Sequence, residues 1–222
     1  VAAARPVALA IFVALRLYKH YRVEVYGKNI HYNNYIKQYH NKSMPQLRQY
    51  TRQEGYFMAK VAVIMGSKSD FAVVKPAVKV LKDFGVQAEV RVISAHRTPD
   101  EAHAFAASAK DSGFEAIICA AGKAAHLGGV IAAYTTLPVI GLPVKTDMMG
   151  GLDSLLSIVQ MPSGIPVATV GVNGGENAGL LALQILGIKY PEIAEKLAAY
   201  KKSMQAKINA DDAALQAELG DI

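Results

Sequence analysis

From residue 61 onward, short apolar runs alternate with loops of small and polar residues and with amphipathic stretches. This alternation predicts β-strands joined by helical crossovers, and therefore a parallel sheet with helices on both faces. The apolar runs are β-branched or small and show no alternating polarity, which is typical of strands buried on both sides. Five strands are predicted, at residues 61–65, 88–93, 116–120, 139–142 and 167–170.

Helix boundaries can be predicted between these strands. Thr98, Pro99 and Glu101 have the spacing of a capping box with proline at the first helical position, which predicts a helix start. Gly85 and Gly113 follow helical stretches, where a left-handed residue ends the last turn. A terminal helix is predicted at about residues 191–216, and we expect it to extend from the core and pack on another subunit. The predicted fold class is a three-layer α/β fold, flavodoxin-like or Rossmann-like.

The composition changes near Met58, where the segment MAKVAVIMGSKSD has the form of a translation start followed by a buried strand. We therefore expect a domain at 58–222, and we expect 1–57 to be upstream sequence or a disordered extension. The alternative is an extra segment that packs on the domain. The apolar run at 7–15 is shorter than the roughly 20 residues that span a bilayer, and no small-residue cleavage pattern follows it. No membrane or export role is expected.

The net charge of +6 comes from the extension. Residues 1–57 hold 9 Lys and Arg against 2 Asp and Glu, which leaves about −1 on the domain. A nearly neutral domain has no broad surface for nucleic acid, so the expected partner is a small anionic molecule. The lone cysteine, Cys119, excludes an internal disulfide framework and a multi-cysteine metal site, and favours a reducing cytoplasmic setting.

Three loops after the predicted strands carry candidate chemistry, because ligands of open parallel sheets lie beyond the carboxyl ends of the strands. The first loop, Gly66-Ser67-Lys68-Ser69-Asp70, is small enough for close approach to a ligand and precedes a helix whose free N–H groups favour an anion. It has the form of a phosphate cradle, although many such turns carry Gly and Ser for steric reasons alone. The spacings of the Walker loop and of the dinucleotide fingerprint are absent, so neither ATP nor NAD is indicated.

The second loop, Ser94-Ala95-His96-Arg97-Thr98-Pro99, places an imidazole beside a guanidinium. Arg97 can hold a phosphate with two hydrogen bonds. His96 can take up and return a proton near neutral pH, although a packing or capping role stays open.

The third loop, Gly122-Lys123-Ala124-Ala125-His126-Leu127-Gly128-Gly129, carries a second histidine that can converge with His96 on one pocket. A metal site needs three or more ligands, which these loops mostly lack, so acid-base roles are favoured and no metal is expected. His103 is expected on a helix as a solvated or packing residue, and Cys119 as an inert buried thiol. No nucleophile elbow or Ser/His/Asp set indicates covalent hydrolysis.

Four segments in this order, GSKSD, SAHRTP, GKAAHLGG and GGLDSLLSIVQMPSGIPVATV, resemble the bacterial 5-(carboxyamino)imidazole ribonucleotide mutases of purine (IMP) biosynthesis. The resemblance runs over about residues 60–186. It implies flavodoxin-like subunits in a homo-octamer, and an isomerase that moves a carboxylate from the exocyclic nitrogen of a phosphorylated imidazole ribonucleotide to ring carbon 4, with no metal or cofactor. It also implies a pathway contact with the ATP-dependent synthase that makes the substrate.

The resemblance assigns roles to single residues. Ser67, Asp70 and Arg97 match residues that hold the ribose phosphate, His96 matches the histidine that shuttles the proton, and His126 matches a histidine that lines the same pocket. Ser163 and Gly164 belong to a loop that is expected to cover this pocket. The other candidate substrate-binding residues are their neighbours in the three loops: Ser69, Ser94, Ala95, Gly122, Lys123, Ala124 and Leu127.

Two departures from the family pattern and two rival functions remain. Gly128 replaces a proline, which loosens the expected helix start after His126, and Lys123 stands where many members have glycine. The 57-residue extension has no counterpart in the pattern. The rivals are an aminoimidazole ribonucleotide carboxylase that uses free carbon dioxide, and a non-catalytic flavodoxin-like binding module. The segments AAHL and GGLDSLLSIVQMP favour the mutase.

Overall fold

The computed structural model describes residues 59–220, and the predictions for residues 1–57 lie outside them. Within this part of the chain, five strands and six α-helices alternate along the sequence. The strands are β1 (Lys60–Met65), β2 (Gln87–Val92), β3 (Ala116–Ala121), β4 (Val139–Pro143) and β5 (Ala168–Thr169). The helices are α1 (Phe71–Asp83), α2 (Pro99–Ala109), α3 (Leu127–Tyr134), α4 (Leu152–Val159), α5 (Gly175–Gly187) and α6 (Pro191–Gly220).

The sheet is parallel throughout and has the strand order β2-β1-β3-β4-β5, which confirms the predicted fold class. All five predicted strands are present, and all of their ends agree within one residue. The largest difference in length is in β5, which spans two residues instead of the predicted four. It lies at the edge of the sheet with β4 as its neighbour, although the backbone N–H of Val170 still donates to the Gly141 carbonyl at 3.0 Å.

The core lies on both faces of this sheet because successive side chains of a strand point in opposite directions. Val61, Val63 and Met65 of β1 pack in one cluster with α1 and α5. Ala62 and Ile64 pack in the other, with α2, α3 and α4. Every residue of β3 is buried, as expected for a central strand covered on both faces.

The helix ends agree with the prediction in position, but one capping interaction is wrong. Gly85 and Gly113 have φ of 84° and 83°, the left-handed conformation predicted at these two sites. Helix α2 begins at Pro99 as predicted, but Thr98 makes no side-chain cap. Its hydroxyl instead donates to the Ser94 carbonyl and accepts from the Ser94 backbone N–H. The Thr98 side chain therefore closes the turn that carries His96, and is not available for a capping box.

The terminal helix α6 is present and continues to Gly220, slightly beyond the predicted end. Among its residues only Ile193 is buried, while Leu197 and Tyr200 pack partly against the core. The Tyr200 hydroxyl donates to Glu176 of α5 at 3.0 Å and so ties the first half of α6 to the domain. Within residues 59–220, no helix is long and apolar enough to cross a membrane.

Helices α1 and α5 approach each other closely at Gly175. A Cβ atom added there would overlap the carbonyl oxygen of Val73, and backbone cannot move aside as a flexible side chain can. We expect Gly175→Ala to lower the free energy of unfolding by about 1–3 kcal/mol, the usual cost of overpacking. Urea unfolding measures this change. Gly171→Ala, which adds a methyl group in open space, is the matched control, and equal urea midpoints for the two variants would contradict the prediction.

Candidate active site

A cleft of about 720 Å³ opens at the carboxyl edge of the sheet, within the size range of pockets for small ligands. The loops after β1, β2, β3 and β4 line it. These loops meet because the four strands are parallel neighbours, so their carboxyl ends lie at the same edge. Eleven of the twelve predicted site residues line the cleft: Ser67, Asp70, Ser94, Ala95, His96, Arg97, Gly122, Lys123, Ala124, His126 and Leu127.

The loop after β1 forms a short 3₁₀ turn over Lys68–Asp70. The Ser67 hydroxyl accepts a hydrogen bond from the Ser69 backbone N–H at 3.3 Å and from the Ser69 hydroxyl at 2.8 Å. Ser69 is the one predicted site residue outside the cleft lining, because its side chain is used to hold Ser67. Ser67 and Asp70 of this turn therefore line the cleft, and Ser69 is exposed next to them.

The loop after β2 orients Arg97 toward the loop after β1. The Arg97 guanidinium donates from Nη2 to the Gly66 carbonyl at 2.6 Å and from Nε to the Ser94 hydroxyl at 3.3 Å. Ser94 also accepts from the Arg97 backbone N–H at 3.2 Å. Arg97 thus joins the first two loops, and its positive charge lies beside the Ser67–Asp70 turn.

The loops after β2 and β3 bring the two predicted histidines together. His96 Nε2 lies 3.2 Å from His126 Nδ1, and the rings meet edge to face with their centroids 5.3 Å apart. A hydrogen bond between two imidazole nitrogens requires one to donate and the other to accept, so the state of one ring determines the tautomer of the other. Sequence reasoning predicted that these side chains converge on one pocket, and the structure places both in the cleft.

Asp70 is the partly buried carboxylate of this cleft. Burial raises the pKa of Asp70 above its ordinary value, while hydrogen bonds from Ser69 and Ser67 and the positive charge of Arg97 oppose that rise. A ligand hydroxyl that donates to Asp70 would replace part of the hydration lost on burial. The carboxylate is therefore suited to accept a hydrogen bond from a polar, uncharged group of a ligand.

The sequence analysis missed the loop after β4, which also lines the cleft with Lys145, Thr146 and Asp147. Asn173, whose φ is 57°, accepts from the Lys145 backbone N–H at 2.8 Å through Oδ1. Thr146 donates to Asp153 at 2.6 Å. The signal that would have found the loop is its place directly after a buried strand, because it carries no histidine or glycine-rich pattern.

The remaining candidates lie elsewhere. Ser163 and Gly164 are exposed and do not line the cleft, so a covering role for their loop stays a prediction. His103 is exposed on α2 and packs against Tyr134, with ring centroids 4.3 Å apart. Cys119 is buried, and burial raises the pKa of its thiol, as an inert side chain requires. Within residues 59–220, no group of three or more His, Cys, Asp or Glu can hold a metal ion.

The chain was compared with known proteins. The family model described as AIR carboxylase matches residues 60–207. The chain belongs to the AIR carboxylase family. A relative named N5-carboxyaminoimidazole ribonucleotide mutase from Pyrococcus abyssi is 62% identical over 148 residues, which are 67% of this chain and 85% of the relative. The protein of the same name from Mycobacterium tuberculosis strain H37Rv is 51% identical over 157 residues, or 71% of this chain and 90% of the relative.

A solved structure of the same family has the same fold. The crystal structure of Treponema denticola PurE superposes with a TM-score of 0.63 at 30% identity, over 70% of this chain and 97% of that protein. The family match ends at residue 207, inside α6, and includes all four loops that line the cleft. The cleft therefore lies within the part of the chain that matches the AIR carboxylase family model.

Of the two departures from the family pattern, Lys123 lies in the loop after β3 and Gly128 lies in the first turn of α3. Lys123 has φ of 58°, a conformation that glycine adopts without strain. Helix α3 begins at Leu127 although Gly128 replaces the proline, and Gly128 is buried against Val167 and Cys119. The packing of Gly128 therefore stabilises the start of α3, a role that a proline would fill by restricting the backbone.

Proposed function

We propose that this protein is an N5-carboxyaminoimidazole ribonucleotide mutase, an isomerase of purine biosynthesis that needs no cofactor. The observation that carries the proposal is the His96–His126 pair at 3.2 Å, in one cleft with Ser67, Asp70 and Arg97. The names of the relatives from Pyrococcus abyssi and Mycobacterium tuberculosis support the same activity. A pocket with one proton-carrying pair and one anion-binding end fits a phosphorylated imidazole that rearranges without a redox or energy-supplying step.

The proposed reaction conserves protons, which explains why a single imidazole is sufficient. Loss of carbon dioxide from the carbamate breaks the N–C bond, and the exocyclic nitrogen gains one proton. Ring carbon 4 then attacks the same carbon dioxide, a new C–C bond forms, and carbon 4 loses one proton. His96 can donate one proton to the exocyclic nitrogen and later accept the proton that carbon 4 loses, so that it ends in its starting state and no net proton enters or leaves.

The cleft supplies the two other requirements of this reaction. Carbon dioxide must recombine before it escapes, and a bound ring keeps the recombination effectively unimolecular. We propose that Arg97 and the Ser67–Asp70 turn hold the ribose phosphate and ribose, which leaves the ring beside His96. The fixed Arg97–Gly66 hydrogen bond supports this arrangement, because it presents the guanidinium at the end of the cleft formed by the first loop.

The test is a conversion assay on the purified full-length protein. The protein is mixed with 5-(carboxyamino)imidazole ribonucleotide, without ATP, metal or added bicarbonate, and the carbon-4 carboxylate is followed. A parallel reaction contains aminoimidazole ribonucleotide and bicarbonate. Rapid conversion of the carbamate alone supports the mutase. Product from aminoimidazole ribonucleotide and carbon dioxide alone supports the carboxylase, and no product from either supports the binding module.

We also propose that the protein forms a homo-oligomer, expected to be an octamer, through α6. Met204, Ile208, Leu215 and Leu219 are 45%, 65%, 51% and 53% exposed, respectively. Their spacing of 4, 7 and 4 residues puts them on one side of the helix. Leu197 lies on the same side and packs against the core, so the apolar stripe continues past the end of the domain. A second copy of the chain is the expected partner for this stripe.

Substituting both Met204 and Ile208 with Glu is expected to lower the oligomer size, because two carboxylates would have to be buried in the contact. Analytical ultracentrifugation of the full chain measures the size. The matched control is Ala206→Glu with Ala210→Glu, which places the same charges on the opposite side of α6. A double variant at Met204 and Ile208 that sediments like the control would contradict the proposed contact.

The setting of the enzyme follows from its proposed substrate. We propose that it works in the cytoplasm, where its one buried thiol stays reduced, and that it receives its substrate from an ATP-dependent synthase. A carbamate that loses carbon dioxide readily favours such direct contact between the two enzymes.

A further inference from the structure

Lys123 has an unusual backbone conformation for a residue with a side chain. Its φ of 58° is in the left-handed region, which costs a non-glycine residue free energy. Such a conformation persists only where the surrounding structure imposes it. Helix α4 contributes to this restraint, because the Ser157 hydroxyl donates to the Lys123 carbonyl at 3.3 Å. A glycine at this position would avoid the strain, so the lysine side chain must be explained by something other than local folding.

Lys123 is one of the residues that line the cleft. Among the ion pairs within residues 59–220, none involves Lys123. The charged residues that line the cleft are Arg97, Lys123 and Lys145, against Asp70 and Asp147. The cleft therefore has one more positive than negative side chain, which favours an anionic ligand.

Arg97 and Lys123 are placed to serve different anionic groups. Arg97 is hydrogen-bonded to Gly66, so its guanidinium is held at the loop after β1. Lys123 instead belongs to the loop after β3, three residues before His126, whose ring contacts His96. Lys123 thus belongs to the loop that carries His126, whereas Arg97 follows His96 in the loop after β2 and is held at the loop after β1.

We propose that Lys123 is a positioning residue that binds the migrating carboxylate of the substrate beside the His96–His126 pair. This inference rests on the proposed function for the identity of the ligand. An ammonium group there attracts the carboxylate in both the carbamate and the carbon-4 acid, and so keeps it near the imidazole that moves the proton.

The test compares two ligands that differ only in the carboxylate. Binding of 4-carboxy-5-aminoimidazole ribonucleotide and of aminoimidazole ribonucleotide is measured by calorimetry for the full-length protein and for Lys123→Gln. Lys123→Gln keeps a side chain of similar length and removes the charge. We expect about tenfold weaker binding of the carboxylated ligand, equivalent to about 1.4 kcal/mol, and less than about a twofold change for the other. Lys123→Arg keeps the positive charge and is expected to bind the carboxylated ligand with most of the wild-type affinity.

Lys123→Gly separates the ligand contact from the backbone strain. We expect it to weaken binding of the carboxylated ligand as much as Lys123→Gln does, while its melting temperature rises by about 2 °C as the strain is relieved. Lys123→Gln should leave the melting temperature unchanged. A merely structural lysine would not change the ratio of the two affinities.

The inference would be overturned by equal affinity of Lys123→Gln and wild type for the carboxylated ligand. Equal loss of affinity for both ligands would also overturn it, because Lys123 would then act on the phosphate or on the fold. These binding measurements do not require turnover. If the wild-type protein shows no conversion in the mutase assay but binds the carboxylated ligand through Lys123, the proposed function fails and the assignment of Lys123 stands.

Discussion

The variant His96→Asn is expected to lose most of its turnover, with kcat lowered by about 10²- to 10⁴-fold, the usual contribution of general acid-base catalysis. Asparagine keeps a polar side chain of similar reach but cannot carry a proton near neutral pH. Binding of the substrate should change little, because the substitution leaves Arg97 and the Ser67–Asp70 turn of the cleft unchanged. Steady-state kinetics with the carbamate substrate, together with calorimetric binding of the product, separate these two effects.

His103→Asn is the matched control for this experiment. His103 is also an exposed histidine in a ring contact, but it lies on α2 against Tyr134 and does not line the cleft. Its kcat should stay within about twofold of wild type, as expected for a surface substitution. If His96→Asn turns over as fast as His103→Asn, His96 is not the proton carrier, and His126 becomes the next candidate because it lies 3.2 Å away.

The variant Arg97→Met is expected to raise KM by about 100-fold or more, because the substrate phosphate would lose charge-assisted hydrogen bonds of about 1.5–3 kcal/mol each. Methionine keeps much of the length of the stem and removes the guanidinium. The Arg97 side chain also joins the first two loops through Gly66 and Ser94, so part of the effect comes from loop order. Arg97→Lys keeps the positive charge but not the bidentate hydrogen-bonding geometry of the guanidinium. Its KM should therefore fall between those of wild type and Arg97→Met.

Arg91→Met is the matched control, since Arg91 is an exposed arginine on β2 outside the cleft, 3.7 Å from Glu89. An exposed ion pair of this kind contributes little, so KM and melting temperature should match those of wild type. Urea unfolding of Arg97→Met identifies any global loss of stability. A normal KM for Arg97→Met would contradict the assignment of the phosphate to this end of the cleft.

The predicted strands agree with the structure because burial on both faces leaves an unmistakable pattern. Residues 116–121 contain no polar side chain, and all of them are buried at the centre of the sheet. The rule that ligands lie beyond the carboxyl ends of parallel strands then predicts three of the loops that line the cleft from the sequence. His96 and His126 were both found in this way, 30 residues apart in the sequence.

The predicted capping box was wrong because a hydroxyl group can form a hydrogen bond with more than one neighbour in the fold. Thr98 has the right spacing for a capping box, but its hydroxyl bonds to Ser94, which lies four residues earlier in the turn. The role of Ser69 in ligand binding stays a prediction, and its hydroxyl donates to Ser67 and to Asp70 in the folded turn. A sequence pattern shows that a hydroxyl is present, whereas the folded backbone determines which acceptor is nearest.

The amino-acid sequence by itself determined the parallel α/β fold, the loops with chemistry and the two histidines, because periodic burial and strand-end loops are local properties of the chain. The contacts between those loops are visible only in the tertiary structure. It showed that Arg97 connects two of them, that Asn173 holds the loop of Lys145, and that Lys123 is in a left-handed conformation. Distances between residues far apart in sequence depend on how the whole sheet packs, so no local pattern contains them.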